Sequence, residues 1–399
     1  MTTSMLSPDA QATLLLVGRF GKGQAKPLTR TEFNRVAQAL HRKGLRPSDL
    51  FQNIPDDLSI DTERIKELIS RGTALALAID SWRQVGIQVV SRADPSYPAR
   101  FKSLLKGGSN PILYYAGQLA LLERSTISVV GSRDATNAGL EFARGIGERA
   151  AAEGVVTVSG DARGIDRAAM DGASERGGDV IGILADSLSK AVLTKRNRQA
   201  ISSGKLLLLS HVEPDARFTV AQAMERNRYI YTAGDATIVA DSDIKGGTWN
   251  GAIENLKYRW APAFVRTGND ARDGNVALLR EGLNEISDTW LSKGNTVQSL
   301  LQTSVNTKNP LPLFSENERS TGAQEVRNNT QGAFTNLFME LILPLLETPM
   351  TTSAVADALG LQVNQAELWL DHAATTGLVY CTKDARWQRV FQGATFDTK

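Results

Sequence analysis

From residue 126 to residue 266 the chain alternates short, continuously apolar runs with amphipathic stretches of helical period. The runs are TISVVGSR (126–133), VVTVSG (155–160), DVIGILAD (179–186), KLLLLS (205–210), ATIVAD (236–241) and APAFVR (261–266). A strand with one wet face reads apolar-polar-apolar, whereas these runs have no polar alternation, so both faces of their sheet must be covered. The intervening segments, at about 137–153, 164–178, 219–233 and 249–258, supply helices to cover them. The fold class is therefore α/β: a doubly wound, mostly parallel, Rossmann-like sheet. In such sheets ligands sit beyond the carboxyl ends of the strands, where loops enter helix N-termini.

Length leaves room for more than this one domain, since the chain has 399 residues. Residues 1–90 read as a small helical domain. The run LLLVGRFG (14–21) is followed by helical periods at 32–44, opened by Thr29-Arg-Thr-Glu32, at 61–72 and at about 73–85. GIQVVSR (86–92) reads as a strand, and Asp94-Pro95-Ser-Tyr97-Pro98 as a turn. The Rossmann-like domain is expected over 91–285. A polar linker is expected over 286–332, so that a chain ending near Glu281 should keep its central fold. The order helix, helix, helix, hairpin over 333–399, closed by LVYCTK (378–383) and RWQRVF (386–391), predicts a winged helix.

Composition excludes several classes of function. A single cysteine, Cys381, and three scattered histidines, His41, His211 and His372, speak against a disulfide framework and a metal centre. No cofactor is expected. There is no G-x-x-x-x-G-K-[ST], and no G-x-G-x-x-G follows the first run. The N-terminus lacks the pattern of a signal peptide and no stretch is apolar enough for a membrane span, so a cytoplasmic protein with no membrane partner is expected. Lys+Arg 45 against Asp+Glu 43 gives no strong non-specific pull on nucleic acid. Residues 121–270 are likewise balanced, with 19 Lys+Arg and 19 Asp+Glu. Any polyanion site must then be local.

The strand ends concentrate such a site. Gly131-Ser132-Arg133 follows the first run, and Ser159-Gly160-Asp161-Ala162-Arg163-Gly164-Ile165-Asp166 the second. Arg226-Asn227-Arg228 precedes the fifth, and Lys245-Gly246-Gly247-Thr248 follows it. Small residues let backbone N–H groups approach an anion, and each segment adds a basic side chain. The site expected from these segments is a phosphate clamp of Arg133, Arg163, Arg226, Arg228 and Lys245. The N–H groups of Gly131, Ser132, Gly160, Gly246 and Gly247 are expected to assist, with Ser159, Gly164, Asn227 and Thr248 beside them.

These loops resemble those of the DNA-processing protein A (DprA/Smf) family. The resemblance rests on Tyr97-Pro98, Val130-Gly-Ser-Arg133, Ser159 to Asp166, Gly177-Gly178, Arg226-Asn227-Arg228 and Lys245-Gly246-Gly247-Thr248, and covers about 90–270. It implies a protein without enzymatic activity, which binds single-stranded DNA and promotes loading of a RecA-type recombinase. A homodimer is left open. Two departures stand out. Asp161 occupies a position usually uncharged, and Lys-Gly-Gly-Thr-Trp replaces the family's K-S-G-S-L loop. Gly246 to Glu254 is similar instead to the P-G-G-x-G-T-x-x-E loop of cytokinin-activating phosphoribohydrolases. That similarity keeps a nucleotide sensor or nucleotide-cleaving enzyme, with Glu254 as its carboxylate, as the alternative.

Each of these residues also has a plain structural reading. Arg133 can pair with Asp134, and Arg163 with Asp166 can simply fix a turn. Trp249 can be a lid or core residue rather than a base-stacking one. Residues 331–399 carry 4 Lys+Arg against 7 Asp+Glu, with Glu367 and Asp371 on the expected recognition helix. That sign opposes phosphate binding, so this domain is expected to face protein rather than a DNA groove.

Overall fold

In the computed structural model, residues 6–20, 25–308 and part of the stretch 346–389 are described. The chain divides into two compact units, Met1–Pro310 and Leu311–Lys399.

In the first unit the apolar runs become β3 (Thr126–Gly131), β4 (Val156–Ser159), β5 (Val180–Leu184), β6 (Leu206–Ser210), β7 (Ala236–Asp241) and β8 (Ala263–Thr267). Every residue of β4 to β7 is buried, as continuous apolar strands require. They lie in a nine-stranded sheet of order β1-β2-β6-β5-β4-β3-β7-β8-β9. Pairing is parallel from β6 through to β9 (Asn284–Ser287). On the other flank, β1 (Gln88–Ser91) and β2 (Ile112–Ala116) form an antiparallel pair, and β2 runs antiparallel to β6. The order reverses between β3 and β7. This is the switch point at which a doubly wound sheet opens a crevice.

The helices expected between strands are present. α6 (Asn137–Ala152) follows β3, and α7 (Ile165–Glu175) follows β4. α10 (Val220–Ala233) precedes β7, and α11 (Gly247–Tyr258) follows it. Their buried residues, such as Phe142, Ile146, Ile165 and Ala169 on one face of the sheet, pack against Ile127, Val129 and Ile238.

The N-terminal helices are α1 (Pro8–Val17), α2 (Arg30–Arg42), α3 (Thr62–Ile69) and α4 (Gly72–Gln84). Thr29 and Glu32 form a reciprocal capping box that starts α2. This layer has its own core, including Leu16, Phe33, Leu40 and Leu68. It is continuous with the sheet, because Leu14, Leu75 and Trp82 pack with Tyr114, Leu206 and Leu208.

The stretch from 286 departs from the expected linker. Residues 284–287 form edge strand β9, and Val297–Lys308 is a helix, α13. Val297, Leu300 and Leu301 are buried against the sheet with Phe264 and Ile286. Glu153 caps the helix, accepting from the N–H groups of Val297 (3.1 Å) and Gln298 (2.9 Å). Three well-spaced aliphatic residues and a distant carboxylate hold a helix that local composition does not announce. Residues 309–332 lie outside the described residues.

In the second unit, β10 (Met350–Thr351), β11 (Val379–Cys381) and β12 (Arg386–Arg389) form an antiparallel sheet of order β10-β12-β11. One further helix, Thr352–Leu359, is described. Leu346, Val355, Leu370, Val379 and Trp387 make a small core, and the Trp387 indole N–H donates to Thr352 Oγ1 at 3.1 Å. The expected hairpin is thus present. The first of the three expected helices, over 334–347, lies almost wholly outside the described residues, and Glu367, Asp371 and His372 lie outside them too.

Among the described residues, no helix is long and apolar enough to cross a membrane, and no cluster of His, Cys, Asp and Glu could hold a metal ion.

Candidate nucleic-acid interface

A cleft of about 330 Å³ opens at the switch point. One wall is the turn after β3, from Val130 to Asp134. A second is the loop after β7, with Asp243 and Lys245 to Thr248. The third is the approach to α10 and its first turns. The expected residues Gly131, Ser132, Arg133, Arg226, Asn227 and Lys245 to Thr248 line it together. Segments up to 118 positions apart in the chain, Val130 to Thr248, converge here because β3 and β7 are neighbours in the sheet.

A second cleft, of about 540 Å³, adjoins the first over the ends of β4 and β5. It takes Gly160, Arg163 and Lys190, and it shares Arg133, Phe218 and Arg226 with the first. Phe218 carries no periodic or motif signal in the sequence. It is 44 % exposed, and the Arg133 guanidinium lies over its ring, 4.9 Å from the centroid.

The five expected clamp cations have different surroundings. Arg133 and Lys245 are exposed on the cleft wall, and neither has a carboxylate partner among the described residues. Arg163 is exposed but pairs with Asp134. Arg228 lines neither cleft, because its Nη2 lies 2.9 Å from Glu254 Oε1. Arg226 is 5 % exposed and lies under the floor. Its Nη1 is 3.3 Å from Asp166 Oδ2 and donates to the Ile183 carbonyl at 3.3 Å. Asp166 is buried as well, and burial raises its pKa against the opposing pull of Arg226.

The Arg226–Asp166 pair explains Gly160. A Cβ at that position would stand 1.0 Å from Arg226 Nη1 and 2.5 Å from Asp166 Oδ2. Only glycine leaves space for the guanidinium to pass. Gly160, Asp166 and Arg226 therefore form one buried device, while Arg163 of the same segment stays exposed and Asn227 lines the first cleft.

Other expected contacts are already committed inside the fold. Ser159 is buried and lines neither cleft, because its hydroxyl donates to the Val129 carbonyl at 2.6 Å. The Ser132 N–H donates to the Asp241 carbonyl at 2.8 Å, so it is not aimed at a ligand. Gly164, with φ of +88°, precedes α7 and lines neither cleft. Asn227 steadies the loop after β7, its Nδ2 donating to the Gly247 carbonyl at 3.1 Å.

That loop leads into α11 through Gly246, and no side chain caps the helix. Uncapped N–H groups at a helix start, with their share of the helix dipole, favour an anion.

Beneath the rim, Arg272 ties three acidic positions together. Its Nε lies 3.3 Å from the buried Asp241 and its Nη1 2.8 Å from Asp243, while Nη2 donates to the Asp134 carbonyl. Asp241 also accepts from the Thr136 N–H at 3.0 Å. Arg272 thus offsets part of the acidic charge at the rim and Arg163 pairs with the Asp134 carboxylate, while Arg133 and Lys245 are the cations of the cleft without a carboxylate partner among the described residues.

Glu254, the carboxylate of the nucleotide-cleaving alternative, does not line the cleft, and Arg228 holds it outside. His211 is buried against Tyr229, with ring centroids 5.5 Å apart, and burial depresses its pKa to about 4. It faces away from this cleft, toward Glu225 and Arg30.

Comparison with known proteins accords with this geometry. The DNA processing protein DprA of Streptococcus pneumoniae is 31% identical over 177 residues, covering 43% of this chain and 61% of that protein. The Bacillus subtilis protein of the same name is 25% identical over 217 residues, covering 53% of this chain and 72% of that one. The chain thus spans under two thirds of the length of the first of these relatives. The crystal structure of the S. pneumoniae protein superposes with a TM-score of 0.57 at 20% identity, over 73% of this chain and 99% of that one, and shows the same fold. Residues 88–289, just over half of the chain, match the family described as DNA recombination-mediator protein A, and the chain belongs to that family.

Proposed function

We propose that the protein binds single-stranded DNA in the switch-point cleft and delivers it to a RecA-type recombinase in the cytoplasm. The observation that carries this reading is the pairing of two uncompensated cations, Arg133 and Lys245, with the uncapped start of α11 on one small crevice. A crevice of about 330 Å³ admits a nucleotide or two of a flexible strand, whereas a stiff duplex would meet only its rim. Membership of a family of recombination mediators supplies the biological context and supports a binding protein over an enzyme.

In this reading Arg133, Lys245 and the N–H groups of Gly247 and Thr248 hold phosphate. Arg226 and Asp166 set the floor beneath them, and Arg228 keeps Glu254 away from the anion. The test is a titration of labelled oligo-dT at several salt concentrations. Arg133→Ala and Lys245→Ala should each weaken binding and flatten the slope of log affinity against log salt by about 0.7 per lost phosphate contact. Unchanged slopes in both variants would overturn the assignment. Transfer to the recombinase is tested separately, by whether the protein speeds filament assembly on coated single strands.

A further inference from the structure

The two clefts share a wall, and Phe218 is on it. This phenylalanine is exposed at the approach to α10, where an isolated apolar ring gains nothing from the core. The Arg133 guanidinium covers part of one face at 4.9 Å, which leaves a cation and an aromatic surface side by side at the junction. Val220, two residues on, is 72 % exposed and widens the apolar surface.

Charge distinguishes the two directions in which a polyanion could leave the first cleft. Toward β8 it would meet Asp273, which has no ion-pair partner among the described residues, Asp270, held by the buried Arg266, and Asp243, which shares Arg272 with Asp241. Toward β5 it would meet the second cleft, with Arg163 and Lys190 on its wall. The carboxylates there are Asp161, held by Arg167 at 2.8 Å, and Asp186. The β5 direction is therefore the less repulsive path.

Resting on the single-strand reading above, we infer that the strand runs from the switch-point cleft across Phe218 into the cleft over β4 and β5, with a base stacked on Phe218 and the next phosphate beside Lys190. The first cleft is then the grip and the second the continuation. Neither Phe218 nor Lys190 is needed for a single nucleotide, and both are needed for a longer strand. Arg133, common to the two clefts, serves both steps.

The experiment compares dTMP with dT oligomers of two, four and eight nucleotides, using full-length wild-type protein and the variants Phe218→Ala, Phe218→Trp and Lys190→Ala. Phe218 and Lys190 are surface positions, and circular dichroism checks that each variant is folded. Wild-type affinity should rise steeply between one and four nucleotides. Phe218→Ala should lose about ten-fold on the tetramer and octamer while leaving dTMP within two-fold, in line with the loss of one stacked base. Phe218→Trp should restore the tetramer affinity and show fluorescence quenching on binding. Lys190→Ala should lower the salt slope for the octamer by about 0.7 and leave dTMP unaffected. If Phe218→Ala and Lys190→Ala bind every length as the wild type does, the path is overturned while the grip stands. Equal weakening at all lengths, dTMP included, also overturns it. Failure of the wild type to bind any oligomer at low salt overturns the single-strand reading itself, and the path with it.

Discussion

Arg226 and Asp166, sixty positions apart in the chain, meet at 3.3 Å under the floor of the cleft, both almost fully buried. Breaking such a pair leaves a charge without compensation, which costs about 3–5 kcal/mol. Arg226→Ala should therefore lower the denaturant midpoint sharply. The double replacement of Arg226 and Asp166 by leucine should recover much of that loss. DNA affinity per folded molecule should fall far less than in Arg133→Ala. A fully stable Arg226→Ala protein with lost DNA affinity would return Arg226 to the phosphate clamp.

Gly160→Ala attacks the same pair from outside, since the new methyl would overlap the guanidinium. Its destabilisation should approach that of Arg226→Ala. In an Arg226→Ala background the nearest obstacle is gone and only the Asp166 carboxylate, 2.5 Å from the new methyl, has to give, so Gly160→Ala should cost much less than in the wild type. The cycle of four proteins should thus show strong coupling, measured by urea unfolding.

Arg228 and Glu254 are partly exposed, so their pair is worth about 1 kcal/mol or less in stability. Its larger effect is on charge near the cleft. Arg228→Ala should weaken oligo-dT binding a few-fold, and Glu254→Gln in that background should restore it. Wild-type protein incubated with adenosine monophosphate should release no adenine. Release that disappears in Glu254→Gln would establish the cleaving enzyme instead.

His211 provides a pH test. Its pKa falls from an ordinary 6.5 to about 4 because burial disfavours the charged ring. The unfolded chain therefore takes up a proton between these values and the folded chain does not, so this group's contribution to stability falls as pH drops from about 6.5 toward 4. His211→Phe lacks the proton site. The stability difference between wild type and variant should change by up to about 3 kcal/mol across that window and stay constant above pH 7.

Chain ends give a fifth prediction. A chain ending at Lys308 keeps α13 and should unfold cooperatively. A chain ending at Glu281 loses β9 and α13 and exposes Phe264 with the lower face of β7 and β8. Each buried aliphatic residue of α13 contributes about 1.5–3 kcal/mol, so the shorter chain should show a markedly lower melting temperature or aggregate.

What the sequence made legible follows from where its signals are local. β3 to β8 declared themselves because both faces of each are buried, and α6, α7, α10 and α11 because they alternate with them. β9 gives no such signal because it is an edge strand in which Ile286 alone is buried. The grouping of Gly131, Arg133 and Lys245 was legible from strand ends alone. The pairing of Arg226 was not, although a signal existed. Arg226, Tyr229, Ile230 and Ala233 recur at helical spacing on the buried stripe of α10, so its side chain points inward. A basic residue on the buried stripe of a helix belongs to the core, and motif position alone does not tell it from a ligand. Phe218 gave no periodic signal, because its meaning comes only from the two clefts that meet at it.

Arg272 has a mechanical consequence. One guanidinium joins the turn after β3, the loop after β7 and the start of α12 (Asp273–Arg280), so two sides of the crevice form a single stiff jaw. The opposing jaw is the exposed approach to α10, where Phe218 projects. The gap between them is thus a fixed gauge closed by one yielding side. Anything thicker than a bare strand would have to displace the side that carries Phe218, because Arg272 holds the other two together.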